Sequence, residues 1–458
     1  MMRIVLISEV FVPAMGYLEN MLPKYLARLG AKVDVVASAL SPNHRLDREE
    51  ETYGGFVRGA PGGSTDASES GDAIESKDAT DVRNALETQN AIAARDGFRL
   101  HVLPHTRTFG HIRLLGLREK LRELRPHIVQ TMTPIGWIAL ASAANRLGCG
   151  YRLFSGCHYH ASVFALARGD ASWASPRRLR CFLERGLHGR VLSWWTEKYY
   201  AISPDCARVA ERFFGVPTSK IETSPLGVDT EVFYPVQSAS DANARTEWRR
   251  RLGFLESEIV CVYSGRFTKD KNPLLLADAI TELVAAGEPY RGLFIGHGPQ
   301  AAEIESRAGC VTRPFMPMSE LGAFYRSADI GVWPTQESMS MLDALACGLP
   351  LVANDTMNAP ERLEGTGFAY RENDRAGLVG ALRRLREGEL RRGLGARGAA
   401  RMREHYSWEQ VAARRIQDYS AALEKNRSRA IGSPLALPLR SGEDAGNRRL
   451  SDSKWQER

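Results

Sequence analysis

The chain has 458 residues, more than a single hydrophobic core comfortably serves, so two domains are expected. Its 43% hydrophobic and 25% charged residues describe a globular protein with no run near the ~18 apolar residues of a spanning helix, and MMRIVLISEVF is too short in its apolar part for a secretory signal. A net charge of +7 favours anionic partners such as phosphates and lipid surfaces, while the lack of a zinc-finger or RNP-type aromatic motif argues against nucleic acid. Seven scattered cysteines, never spaced as CxxC, point to reduced thiols in a cytoplasmic protein without a structural zinc site.

Along the chain, short β-branched runs alternate with helical patterns. RIVLI (3–7), VDVVA (33–37), HIVQT (127–131), YRLFS (151–155) and YYAIS (199–203) read as buried strands. LREKLRELR (117–125) and IALASAANRLG (138–148) carry helical spacing between them, and Pro23 fits a first helical turn. Residues 54–81, rich in Gly, Ser and Asp, predict a mobile insertion extending to about residue 90. RRLRCFLERGLHGRVLSWWTEK (177–198) reads as a basic helix holding Trp194 and Trp195; it suits an anionic membrane surface, and equally a helix packing its aromatics inward. PVQSASDANAR (235–245) marks a polar break. Beyond it the rhythm restarts with IVCVYS (259–264), RGLFI (291–295), DIGVW (329–333) and PLVAN (350–354), and SWEQVAARRIQDYSAALEK (407–425) closes as a helix before an unstructured tail from 426. Such alternation means parallel sheets covered on both faces, here two doubly wound α/β domains with ligand crevices at the strands' carboxyl ends.

Three loops at those ends carry chemistry. After IVCVYS, GRFTKDKN (265–272) offers Gly265 for a tight turn and the cations Arg266 and Lys271, which a diphosphate needs and a basic surface loop also contains. After RGLFI comes GHGP, with Gly296 and His297, weak evidence alone. After DIGVW, Glu337 and Asp343 flank the start of a helix. They either complement its dipole, with Ser340 and Asp343 as a capping box, or receive ligand hydroxyls. In the first half, SEVFVPAMGYLEN bends at Gly16 without a GxGxxG fingerprint, and GCHYHASVF places His158 and His160 after a strand, as structural or hydroxyl-binding histidines without the further ligands of a metal site.

In their order, the loop ending at Gly16, AIS (201–203), SPLGVDTEVFYP (224–235), GRFTKDK (265–271), GHGP (296–299) and ESMSMLDALACGLP (337–350) resemble the family 4 glycosyltransferases, retaining enzymes of the GT-B fold that use nucleotide-diphosphate sugars. The resemblance spans roughly residues 2–425. It implies that Arg266 and Lys271 bind the donor diphosphate and stabilise the departing nucleotide, and that Gly16, Gly265 and Gly296 line the donor. His158, with His160 second, faces the donor sugar, and no metal is needed. Asp343 stands as the ribose-binding carboxylate, with Ser338, Met339 and Ser340 beside it in place of the family's glycine-aromatic-glycine. Glu337, standing for the family's sugar-facing catalytic glutamate, precedes Asp343 by six positions where the family has eight, and losing two residues inside a helix would turn what precedes them by about 200°, so the deletion belongs in the loop. His297 replaces a usual Asp.

The resemblance therefore implies an acceptor-side domain (1–235), a donor domain (236–406), a helix crossing back to the first domain (407–425) and a disordered tail (426–458). The implied activity is metal-independent, retaining hexosyl transfer to a saccharide or lipid-linked acceptor, in cell-surface polysaccharide or glycolipid synthesis, with the nucleotide sugar as co-substrate and no further cofactor. It would take place in the cytoplasm, with peripheral contact to an anionic membrane at its inner face. A nucleotide-sugar epimerase of the same fold and an inactive nucleotide-sugar-binding subunit are the alternatives.

Overall fold

A computed structural model of the chain describes residues 1–11, 17–38, 90–108, 111–159, 182–335, 338–357 and 362–431, without the side chains of 184, 185 and 426–431. The first sheet is assembled from β1 (Arg3–Ile7), β2 (Lys32–Ser38), β3 (Arg99–Leu103), β6 (Ile128–Thr131), β7 (Arg152–Cys157), β8 (Thr196–Ala201) and β9 (Ile221–Thr223), in the order β3-β2-β1-β6-β7-β8-β9. A separate antiparallel hairpin joins β4 (His105–Thr108) to β5 (His111–Leu114). The second sheet orders β10 (Ile259–Ser264), β11 (Tyr290–Ile295), β12 (Cys310–Arg313), β13 (Ile330–Trp333), β14 (Leu351–Asn354) and β15 (Gly367–Tyr370) as β12-β11-β10-β13-β14-β15. Every pairing within the two large sheets is parallel.

The central strands are near-continuous apolar runs because helices cover both their faces. In the first domain one face packs Ile4, Leu6, Val33 and Val35, and the other packs Val5, Ile7, Val36 and Val129. The strand order reverses beside β1 and beside β10, so each sheet has a switch-point crevice outside its strands' carboxyl ends.

The elements missing from the sequence reading are mostly edges. β12 (CVTR) is only half-buried along its length and β9 (IET) carries two polar residues of three, so neither shows an apolar run. Thr196 to Lys198, expected to extend a helix, instead open β8, where Thr196 is buried and pairs with Leu153. Pro23 lies in the interior of the helix Leu18–Arg28 rather than in its first turn. That costs about 3 kcal/mol, and burial of Leu18, Met21, Leu22 and Leu26, about 1.5–3 kcal/mol each, outweighs it. The polar break at 235–245 is half helix: Ser238 and Asp241 form a reciprocal capping box that starts the helix Ala239–Leu252. Residues 54–89 of the expected insertion lie outside the described residues, and a helical turn runs from residue 90 to 95.

The last helix, Trp408–Ile431, runs six residues past the expected start of the tail, because nothing breaks a helix before Gly432. Its Trp408, Val411, Ala412 and Tyr419 join the core of the first domain beside the helix Leu18–Arg28. The chain thus crosses between domains twice, side by side: the Val228 amide donates to the Tyr406 carbonyl (2.8 Å) and the Trp408 amide to the Val228 carbonyl (3.1 Å). No helix among the described residues is long and apolar enough to cross a membrane.

Candidate functional site

The loops after β10, β11, β12 and β13 converge on one cavity of about 330 Å³, closed on its far side by Tyr17, Gly227, Asp229 and Trp408. Two glycines allow the first two loops to touch. Gly265 has φ +152°, and a Cβ there would stand 2.8 Å from the Tyr263 hydroxyl, which is needed to donate to the Arg266 carbonyl (2.9 Å). Gly296 has φ +146°, and a Cβ there would overlap the Gly265 carbonyl. The loops are then tied by Gly265 N–H to Ile295 O (2.9 Å) and Phe267 N–H to His297 O (2.8 Å).

Arg266 and Lys271 form the cationic wall. Arg266 pairs with Asp270 at 3.2 Å, and both are half exposed, so the contact is weak enough to yield to a ligand anion. Thr335 donates to the Asp270 carbonyl (2.7 Å), fastening this loop to the one after β13.

Ser340 is the first residue of the helix Ser340–Ala346, whose N-cap is Met339, so the expected capping box with Asp343 is absent. The Ser340 hydroxyl is used elsewhere, at 2.7 Å from Ser338 Oγ and 3.3 Å from the Ser264 carbonyl. Asp343, one turn into the helix, lines the cavity. Burial, reinforced by the nearby charge of Asp229, pushes its carboxyl up to about 8. A group at the helix start only to complement the dipole would be driven the other way. Phe315, Met316 and Met318 supply an apolar wall.

Of the residues singled out in the sequence, Gly265, Arg266, Lys271, Gly296, Ser338, Met339, Ser340 and Asp343 line this cavity, with His297. Gly16, Glu337 and His160 lie outside the described residues. His158 is not among the lining residues: it follows β7 and folds back over its own strand, where a Cβ on Gly156 would meet its Nε2 at 3.2 Å. Asp229, Tyr17, Trp408 and Phe315 were not identified as site residues. Asp229 stood within the quoted SPLGVDTEVFYP, and Phe315 follows an edge strand too polar to mark its loop. Of the tryptophan pair, Trp195 packs against the first-domain core whereas Trp194 is 76% exposed. The walls together suit one ligand with anionic, hydroxylic and flat apolar parts.

The family model described as Glycosyltransferase Family 4 matches residues 21–232, and that described as Glycosyl transferases group 1 matches residues 258–387. A D-inositol 3-phosphate glycosyltransferase of Acidothermus cellulolyticus is 28% identical over 52% of this chain and 54% of its own length. A GDP-mannose-dependent alpha-(1-6)-phosphatidylinositol dimannoside mannosyltransferase of Mycobacterium tuberculosis is 26% identical over 47% of this chain and 56% of its own. The chain thus spans about half the length of the curated relatives it matches. Among solved structures, sucrose-phosphate synthase of Thermosynechococcus elongatus is 18% identical, with a TM-score of 0.59 over 93% of this chain and 100% of that one. An Anabaena protein, HepE, solved with UDP-glucose, is 14% identical, with a TM-score of 0.59 over 93% and 100%. Matched in both domains by models of glycosyltransferases, and folded in the GT-B manner, the chain belongs to the family 4 glycosyltransferases.

Proposed function

We propose that the chain moves a hexosyl group, with retention and without a metal ion, from a nucleoside-diphosphate sugar to a hydroxyl acceptor. The observation that carries this reading is the convergence of Arg266, Lys271 and Asp343, from two loops at the β10/β13 switch point, on one cavity facing the first domain. The C1–O bond of the donor breaks as negative charge gathers on the diphosphate, and Arg266 and Lys271 stabilise that charge. Asp343, ionised, accepts the ribose hydroxyls, while Phe315 and Met316 offer apolar contact to the base. The sugar is then directed toward Ser338 and the first domain, where the acceptor hydroxyl attacks and its proton leaves to the donor's own phosphate oxygen.

The named relatives act on inositol phosphate and phosphatidylinositol mannosides, which supports a phosphorylated or lipid-linked polyol or saccharide as acceptor. Leu183, Leu187 and Trp194 are 51%, 44% and 76% exposed at spacings that share one helical face, which supports docking on an anionic membrane from the cytoplasmic side. Co-sedimentation with phosphatidylglycerol vesicles, lost in Trp194→Ser, tests that docking; equal recovery of both proteins removes it.

The central test is thermal stability with UDP, GDP and ADP, for wild type and Lys271→Ala, followed by transfer of labelled sugar from the matching donor. At a hundredfold its dissociation constant a nucleotide adds about 2.7 kcal/mol. A response to one nucleotide, weakened by Lys271→Ala, together with labelled product, supports the reading. Binding without transfer to any acceptor of a broad panel overturns it in favour of a binding subunit.

A further inference from the structure

Asp229 is the second carboxylate of the cleft; it lies at the crossing, between Val228 and Phe233 of the second-domain core, and is held by a helix of the first domain. Its side chain is 1% exposed and accepts three hydrogen bonds: Lys24 Nζ at 2.8 Å, Tyr25 Oη at 2.9 Å and the Glu231 amide at 3.0 Å. Lys24 and Tyr25 belong to the first-domain helix Leu18–Arg28, whereas Asp229 lines the donor cavity with Asp343. Lys24 itself does not line the cavity among the described residues.

We propose that Lys24 is a positioning residue for the donor site, acting across the domain boundary: paired with Asp229, it neutralises that carboxylate and leaves Asp343 able to carry the charge that accepts the donor's hydroxyls. The inference rests on the assignment of Asp343 under the proposed function. The charge balance around the two carboxylates is otherwise sparse. Glu231 holds Arg28 at 2.6 Å and stands 3.7 Å from Lys24 as well. From the helix Met318–Ser327, Tyr325 faces Asp343, and Arg326 acts on Cys347 at the end of the Asp343 helix. None of these places a cation on Asp229 as Lys24 does. A nucleoside diphosphate bound mainly by the second domain therefore senses a lysine of the first that it never touches.

The test is calorimetric binding of whichever of UDP, GDP and ADP the full chain takes, across pH, in Lys24→Met, Asp229→Asn and the double variant. In Lys24→Met, Asp229 keeps its hydrogen bonds from Tyr25 and the Glu231 amide but loses its cation. The pH midpoint of binding should rise by about one unit, about a tenfold loss of affinity at a fixed pH below it. Asp229→Asn removes the negative charge beside Asp343 and leaves Lys24 only its longer contact with Glu231, at 3.7 Å, so it should lower the midpoint, and the double variant should return it close to wild type. If Lys24→Met does not fold, Lys24→Arg and Lys24→Gln decide: the midpoint should stay in the first, which keeps the charge, and rise in the second. Uniformly weaker binding with unmoved midpoints, the mark of a packing role, overturns the inference. A wild-type profile without a midpoint, or one that Asp343→Asn retains, overturns the assignment of Asp343 itself.

Discussion

Asp343→Asn should remove most of the pH dependence of nucleotide binding while leaving the fold intact. The substitution keeps size and shape but cannot ionise. With the carboxyl raised to about 8 by burial and by Asp229, the wild-type group is only about one-tenth ionised at pH 7. If the ribose hydroxyls donate to the carboxylate, binding at pH 7 must first remove that proton, at a cost of about 1.4 kcal/mol. Wild-type affinity should therefore rise about tenfold between about pH 7 and about pH 9 and then level off. The ligand's terminal phosphate titrates near about pH 6, below this window, so it does not imitate the effect. Calorimetry in buffers of different ionisation heat should also show close to one proton released per nucleotide bound at pH 7. A flat wild-type profile, or the same slope in Asp343→Asn, refutes the reasoning.

The same carboxyl sets a sign for stability. The unfolded chain releases this proton near 3.8 and the folded chain near 8, so between them the folded state holds more protons. The Asp343 contribution to ligand-free stability should fall as pH rises through that window and stay level above it. Asp343→Asn should lack this fall, which thermal melts across pH would show.

The remaining predictions concern the frame. Gly296→Ala should cost about 1–3 kcal/mol and abolish nucleotide binding, because the new methyl overlaps the Gly265 carbonyl and separates the two loops; melts and calorimetry read both. Trp408→Ala should lose about 3–5 kcal/mol in denaturant titrations, since its ring is buried in the first-domain core and also packs on Gly227 at the crossing. Arg415→Met should be neutral or stabilising in the same assay. The Arg415 guanidinium is buried over the Tyr200 ring, and its Nε and Nη1 have no hydrogen-bond partner among the described residues.

The parts of this architecture legible in the sequence are those where burial is strongest. IVCVYS and RIVLI are apolar at nearly every position because both faces are covered, and their loops could be placed from that alone. CVTR and IET, at the sheet edges, lose that signal, and Phe315 was lost with the loop that follows CVTR. Local signatures also depended on where the chain begins to turn. Ser238 and Asp241 form a capping box that read as a polar break, while Ser340 and Asp343 read as one and are not. The difference is tertiary: Ser264 from another strand takes the Ser340 hydroxyl, and no spacing rule contains that contact. The fold of His158 back over Gly156 is equally invisible, since it depends on rotamer and not on order.

Two kinds of charge divide the work of this cavity. Arg266, at its mouth, is half exposed, and its pair with Asp270 contributes little to stability. Asp343 stands deeper, where a permanent charge beside Asp229 would be costly, and in the empty cavity at neutral pH it is mostly protonated. If it receives the donor hydroxyls as proposed, its negative charge is called up only when they can satisfy it. An anion that approaches without those hydroxyls, such as inorganic pyrophosphate, would meet the cations but recover nothing from Asp343. On that reading the proton would act as a selectivity device: the advantage of a nucleoside diphosphate over pyrophosphate should grow with pH up to about 9 and then hold constant, and in Asp343→Asn it should be smaller.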